Sequence, residues 1–328
     1  MFKGKKILIT GGTGSLGTAL TKRLLQYDVK NIRIFSRDEL KQVQMNESIN
    51  DSRLRFLIGD VRDKERLFRA TEGIDIVIHT AALKHVPVIE YNPFEAVQTN
   101  VYGSQNLISA CLMNNVSKVL AIGTDKAVSP FNTYGATKLL MERLFVSANY
   151  YKGDHITDFL CVRYGNVLGS RGSLVPTLVN QALSKNEITI TDPNMTRFNI
   201  TMNEALDLIF RALKNGIGGE VFIPKLHAYR INEMKIAIQQ LLKIKCVEKK
   251  IPVRPGEKFH ESLISQHEIR NTYENKNDYI LLDDVKSKIL LKNKSIKKSK
   301  LKEEYSSNNV KLLSIDEIKK ILVSENLV

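Results

Sequence analysis

The run Gly11-Gly12-Thr13-Gly14-Ser15-Leu16-Gly17 follows directly on Lys5-Lys6-Ile7-Leu8-Ile9-Thr10, six residues that read as a buried strand. Glycine at positions 11, 14 and 17 permits a tight turn and a close backbone approach to a pyrophosphate. A helix expected from about Ser15 then presents free N–H groups and the positive end of its dipole to the same anion. This strand, glycine turn and helix restrict the chain to one architecture more than any other feature. Asn31–Ser36, Leu54–Asp60, Ile74–His79 and Lys118–Gly123 read as further strands with helical patterns between them. Such alternation predicts an α/β fold, a doubly wound parallel sheet of Rossmann-like type with helices on both faces.

The alternation weakens after about residue 166. Residues 1–166 are therefore expected to form the dinucleotide-binding domain with the catalytic residues. Residues 167–284 are expected to form a smaller, mainly substrate-binding C-terminal region that returns some segments to the first domain. Residues 285–311 read as a lysine-rich linker, with Glu303–Asn309 polar and flexible. Residues 312–328 read as an amphipathic helix started by a capping box, Ser314 with Glu317.

Formal net charge is +14 over 328 residues. Much of the excess sits at Lys286, Lys288, Lys292, Lys294, Lys297, Lys298, Lys300 and Lys302, with no interleaved aromatic residue to stack on a base. A solvated segment is expected there rather than a nucleic-acid surface. No apolar run is long enough to span a membrane, and Met1–Lys6 leads into a strand rather than a secretory leader. Cys111, Cys161 and Cys246 are odd in number and widely spaced, which fits neither a disulfide framework nor a metal cluster. A reducing cytoplasm is the expected compartment.

Cofactor choice is read at the end of the second strand. An acidic residue there binds the ribose of NAD. Here Ser36 and Arg37 suit the 2′-phosphate of NADP, while Asp38 and Glu39 keep NAD in play. Leu40 and Lys41 complete this edge. Asp60 and Val61 are expected beside the adenine, and Ala81 and Lys84 beside the cofactor ribose.

Tyr134 and Lys138 form a Tyr-x-x-x-Lys pattern at a helix start, one turn apart on one face. The Lys138 ammonium is expected to lower the Tyr134 pKa. Tyr134 can then remove a hydroxyl proton while the nicotinamide takes hydride from the same carbon. Asp125 and Lys126 follow the fifth strand, at the carboxyl end of the sheet where open α/β folds place ligands. They suit an elimination. After oxidation of a sugar C4, Lys126 acts as a neutral base at C5 and Asp125 as a protonated acid toward the departing O6. Arg197 and Arg254 offer forked donors to a diphosphate.

Together these residues resemble the inverting UDP-N-acetylglucosamine 4,6-dehydratases (5-epimerising) of pseudaminic acid biosynthesis, in the extended short-chain dehydrogenase/reductase superfamily. The strings carrying the resemblance include FSRDELKQ (35–42), KHVPVIEYNP (84–93), TDKA (124–127), YGATKL (134–139), RYGNVLGSRGS (163–173), MTRF (195–198) and RPGEK (254–258). The resemblance implies that Lys126 is the C5 base and that Tyr134 and Lys138 serve the cofactor. It implies that Asn166, Arg171, Arg197 and Glu257 lie near the substrate, with Lys84 near the cofactor. Ser173 in the same loop, Arg254 and Lys84 are grouped with the substrate-facing set. The expected partner is UDP-N-acetylglucosamine or a related UDP-sugar, and a homo-oligomer is expected. Two rivals use the same glycine loop. A UDP-hexose 4-epimerase needs Tyr134 and Lys138 but not Asp125 and Lys126. A non-catalytic NADP-binding module needs neither pair. Asn199 stands where the family often has Trp, and the lysine-rich stretch is longer than the family pattern.

Overall fold

The computed structural model describes residues 1–282 and 296–328. Lys286, Lys288, Lys292 and Lys294 lie outside the described residues. The first half alternates as the sequence predicts: β1 (Lys6–Thr10), α1 (Ser15–Leu24), β2 (Asn31–Ser36), α2 (Glu39–Ile49), β3 (Leu54–Ile58), α3 (Lys64–Thr71) and β4 (Ile76–His79). There follow α4 (Val86–Tyr91), α5 (Pro93–Ala96), a π-helical stretch Val97–Tyr102, α6 (Gly103–Met113), β5 (Lys118–Ile122), a 3-10 turn Asp125–Ala127, α7 (Thr133–Tyr151) and β6 (Asp158–Val162). The second half carries α8 (Leu174–Lys185), β7 (Glu187–Ile190), β8 (Thr196–Phe198), α9 (Met202–Asn215), β9 (Val221–Pro224), β10 (Ala228–Arg230), α10 (Ile231–Leu242) and β11 (Val247–Lys250). It closes with β12 (Ser262–Ile264), β13 (Thr272–Glu274), β14 (Asp278–Leu281), β15 (Lys297–Lys298), β16 (Tyr305–Ser306) and a last helix, Ile315–Ser324.

The main sheet runs β15-β13-β14-β9-β6-β5-β4-β1-β2-β3. From β3 to β9 neighbours are parallel, while β14, β13 and β15 add an antiparallel edge. Strand order reverses between β1 and β4, and this switch point opens a crevice at the carboxyl ends of the strands. Strands β1 and β4 are apolar almost throughout because helices cover both faces. A second apolar cluster, including Leu178, Ile188, Met234 and Ile238, lies in the C-terminal part. The last helix docks Ile318 and Leu322 into it, and the capping box read at Ser314 and Glu317 is present.

Residues 303–309 differ from the flexible stretch their polarity suggested. Tyr305, Ser306 and Ser307 are buried, and β16 pairs antiparallel with β12. The Tyr305 hydroxyl is fixed at the Leu226 backbone. Lys297 and Lys298 likewise extend the sheet edge, beside Glu274 and the Tyr273 ring. Tertiary pairing supplies here what composition alone does not.

One buried charge cluster ties the halves together. Arg163, at the end of β6 and fully buried, donates to both carboxylate oxygens of Glu142 on α7 at 3.0 and 2.5 Å. It also donates to both oxygens of Glu268 at 3.0 Å and to the Leu263 carbonyl at 2.9 Å. Removing one member of such a cluster leaves buried charge uncompensated. Arg163→Met is expected to destabilise the protein by about 3–5 kcal/mol, read as a shift in the denaturant midpoint at unchanged slope. A change within about 1 kcal/mol would show that the cluster does not hold the halves together.

Candidate active site

The crevice at the switch point is a cleft of about 780 Å³. Its floor is the glycine loop. Gly11 has φ +66°, and a Cβ there would lie 2.8 Å from the Ala81 backbone. A Cβ on Gly17 would lie 2.5 Å from the Gly12 carbonyl oxygen, so helix and strand meet only because no side chain intervenes. The N-cap of α1 is Gly14, with no side-chain cap and no acidic residue in the first turn. Its first N–H groups therefore remain for an anion. Loop and helix end fit a dinucleotide pyrophosphate.

Thr13, Ser15 and Leu16 line this end, and Ser36, Arg37, Asp38, Lys41, Asp60 and Val61 line the edge of the cleft at the ends of β2 and β3. Glu39 and Leu40 open α2 and are exposed outside the lining. Asp38 caps α2 through the Lys41 amide and also takes the Lys41 ammonium at 2.5 Å. Arg37 lies 3.7 Å from Asp60 and is half exposed. Further along, Ala81 and Lys84 line the wall with Tyr134, Lys138 and Asn166. Arg171, grouped with the substrate by resemblance, lies on the glycine loop, where it donates to the Thr13 carbonyl at 2.6 Å and to Ser15 Oγ at 3.2 Å. Lys84 donates to the Arg171 carbonyl. Ser173 lines the same end of the cleft with a buried, unpartnered hydroxyl.

Helix α7 starts at an Asn132 cap that accepts the Gly135 amide at 2.7 Å. This places Tyr134 and Lys138 on the cleft side. Burial pushes the Tyr134 phenol up to about 12, opposed chiefly by the positive charge of Lys126. The expected depression by Lys138 is therefore absent: burial dominates, and the cation acting on Tyr134 is Lys126. Burial also lowers the Lys138 ammonium to about 8.

Lys126 projects from the 3-10 turn. Its ammonium donates to Asp125 Oδ1 at 3.1 Å and to Asn166 Oδ1 at 3.0 Å, and it is ion-paired with Glu261 Oε1 at 3.1 Å. Burial alone would lower its pKa, but Asp125 and Glu261 outweigh burial and hold it above the ordinary lysine range. The neutral amine expected at this position is thus not its resting form, because two carboxylates flank it. The Lys126 side chain is 19% exposed, against 1% for Asp125 and 3% for Glu261. Lys126 faces the cleft, and the carboxylates stand behind it. Glu261 escaped the sequence reading. It lies just beyond RPGEK, and nothing local signals that it turns inward.

Arg197 and Glu257 meet at 3.2 Å, and Arg197 also donates to the carbonyls of Thr196 and Phe259. Glu257 accepts the Arg254 amide at 3.3 Å, while the Arg254 side chain is exposed. None of these three lines the cleft. Asn199 is buried and its amide oxygen has no partner.

A Cβ on Gly135 would run into the Lys126 carbonyl oxygen. Gly135→Ala is therefore expected to destabilise the fold by about 1–3 kcal/mol and to weaken dinucleotide binding, measured by thermal unfolding with and without nucleotide. Unchanged stability would show that α7 and the Lys126 turn are not in rigid register.

A family model described as polysaccharide biosynthesis protein matches residues 7–283. The chain is 48% identical to a Campylobacter jejuni protein named UDP-N-acetylglucosamine 4,6-dehydratase (inverting), over 87% of this chain and 85% of that one. It is 40% identical to a Rickettsia rickettsii protein named UDP-glucose 4-epimerase, over 99% and 97%. The solved structure of Pen from Bacillus thuringiensis superposes with TM-score 0.95 at 39% identity over the whole of both chains. The chain belongs to this polysaccharide biosynthesis family, and within it is a homologue of the inverting UDP-N-acetylglucosamine 4,6-dehydratases with the extended short-chain dehydrogenase fold.

Proposed function

We propose that the chain is a hydro-lyase that removes water from UDP-N-acetylglucosamine across C5–C6 and inverts C5, giving a UDP-2-acetamido-2,6-dideoxy-L-arabino-4-hexulose. The observation that carries this reading is the pairing, on one cleft wall, of Tyr134 and Lys138 with a lysine held by two carboxylates. C4 oxidation needs the first pair alone, whereas elimination needs an additional base at C5. A bound nicotinamide supplies a hydride acceptor for C4 and a donor for C6, so no net redox change results. Tyr134 takes the C4 hydroxyl proton. Lys126 takes the C5 proton, and the acid toward O6 comes from the Lys126–Asp125 group. Asp125 is sealed behind Lys126, so the proton to O6 is given by the Lys126 ammonium once it has taken the C5 proton.

The cofactor in this reading is NADP. Asp38 is spent on the α2 cap and on Lys41, which leaves the half-exposed Arg37 as the cation at this edge for a 2′-phosphate. Arg197 and Arg254 are assigned to the substrate diphosphate, with Glu257 holding Arg197 in place. The unpaired, buried Cys111 and Cys161 suit a reducing cytoplasm. Exposed Tyr91, Phe94 and Phe131 suit a homo-oligomer. Pseudaminic acid biosynthesis is the pathway that the proposed product suits. Among the described residues no helix is long and apolar enough to cross a membrane.

Arg37→Ala is expected to weaken NADP binding more than NAD binding, measured by calorimetric titration of both. Equal affinities in the parent would contradict the NADP assignment. A second test separates the two halves of the site. Tyr134→Phe is expected to abolish every step from C4 oxidation onward. Lys126→Ala is expected to retain a transient reduced-nicotinamide absorbance while dehydration falls by about 10²–10⁴-fold. Near-normal dehydration by folded Lys126→Ala would remove Lys126 from its role. UDP-N-acetylgalactosamine as the sole product would instead favour a 4-epimerase, the activity named for the Rickettsia relative.

A further inference from the structure

The Lys126 ammonium donates to Asp125 and Asn166 and is ion-paired with Glu261. A free lone pair for the C5 proton therefore requires that one of these partners first take a proton. The Asn166 amide cannot, which leaves the two carboxylates. Asp125 Oδ1 already receives the Thr124 hydroxyl at 2.9 Å in addition to the Lys126 ammonium. Glu261 Oε1 meets only the Lys126 ammonium among the described residues, so it lacks the hydroxyl that supports Asp125, while the second oxygens of both carboxylates, Asp125 Oδ2 and Glu261 Oε2, are buried without a hydrogen-bond partner there. Glu261 is thus the carboxylate whose negative charge is less well supported.

We propose that Glu261 is a positioning residue for the elimination: it takes one proton from the Lys126 ammonium, leaving a neutral amine at the cleft and a neutral carboxylic acid behind it. The inference rests on the dehydratase reading. One N–H bond of Lys126 breaks and one O–H bond of Glu261 forms, so the pair keeps the same proton count and needs no co-reactant. Lys126 then takes the C5 proton and delivers a proton to the departing O6, and Glu261 returns its own proton to Lys126. Burial, with the nearby Asp125 charge adding, raises the Glu261 pKa in the direction this exchange needs, against the opposing charges of Lys126 and Arg197. Lys258, three residues earlier, also faces Glu261 and has its pKa lowered by burial. Tyr134 and Tyr229 face the Lys126–Asp125 pair, and burial pushes both phenols up to about 12.

The segment Tyr305–Ser307 holds Glu261 in place. The Glu261 amide donates to Ser307 Oγ at 3.0 Å, and the Ser307 amide donates to the Glu261 carbonyl at 2.8 Å.

The test is the pH dependence of dehydration by the full chain with NADP and UDP-N-acetylglucosamine. Exchange within the Lys126–Glu261 pair leaves the parent rate flat near neutrality. In Glu261→Gln the amine must lose its proton to solvent, so the rate is expected to rise about tenfold per pH unit, as the neutral fraction of a lysine does below its pKa. At pH 7 the rate should fall about 10²-fold or more, while the transient C4-oxidation signal persists. Glu261→Asp is expected to keep the flat profile at a reduced rate, which covers the case in which the Gln variant does not fold. Lys258→Met is expected to keep the parent profile. A flat profile in folded Glu261→Gln, a steep one in Glu261→Asp, or a slope that appears in Asp125→Asn instead overturns the proposal. Failure of the parent to dehydrate the sugar overturns the dehydratase reading and this inference together.

Discussion

The site depends on keeping one ammonium between two sealed carboxylates at the edge of a cleft. Lys126 reaches that edge because β5 ends at the switch face of the sheet and the chain then turns once. Asp125 comes with it by sequence. Glu261 comes from the far end of the chain and is placed by the β12–β16 pairing and by Ser307. The C-terminal segments are therefore part of the site. A fold that ended with the dinucleotide-binding half would present Lys126 to the cleft with one carboxylate fewer.

This arrangement also explains why two lysines on one wall behave differently. Lys138 has Glu142 near it, but Arg163 holds both oxygens of that carboxylate. Burial therefore wins, and the Lys138 pKa falls. Lys126 keeps two carboxylates in contact, and its pKa rises. The lysine that holds its proton more firmly is thus the one flanked by two carboxylates, and the one that gives it up more readily lies at the next turn of α7.

Much of the first half was legible because its signals are local. The apolar strands, the glycine turn and the Tyr134–Lys138 spacing each follow from a few adjacent residues. The Ser314–Glu317 cap was legible for the same reason. Glu261, Ser307 and the Arg163 cluster were not, because a polar residue reads as surface until a distant partner buries it. Lys297 and Lys298 are exposed, as solvated charge should be, and their backbone also pairs with β13 at the sheet edge, which no local signal shows. Arg171 was read toward the substrate, and its position on the glycine loop emerges only when the 163–173 loop folds back over α1.

The most direct measurement of the central claim is proton NMR of the product formed by the parent enzyme from UDP-N-acetylglucosamine in deuterium oxide. Elimination at C5 followed by return of hydride to C6 predicts a 6-deoxy-4-keto sugar with deuterium at C5, L-arabino configuration and no lasting reduced cofactor. A product that retains its C5 proton and its 6-hydroxyl would contradict the account, whatever its configuration at C4.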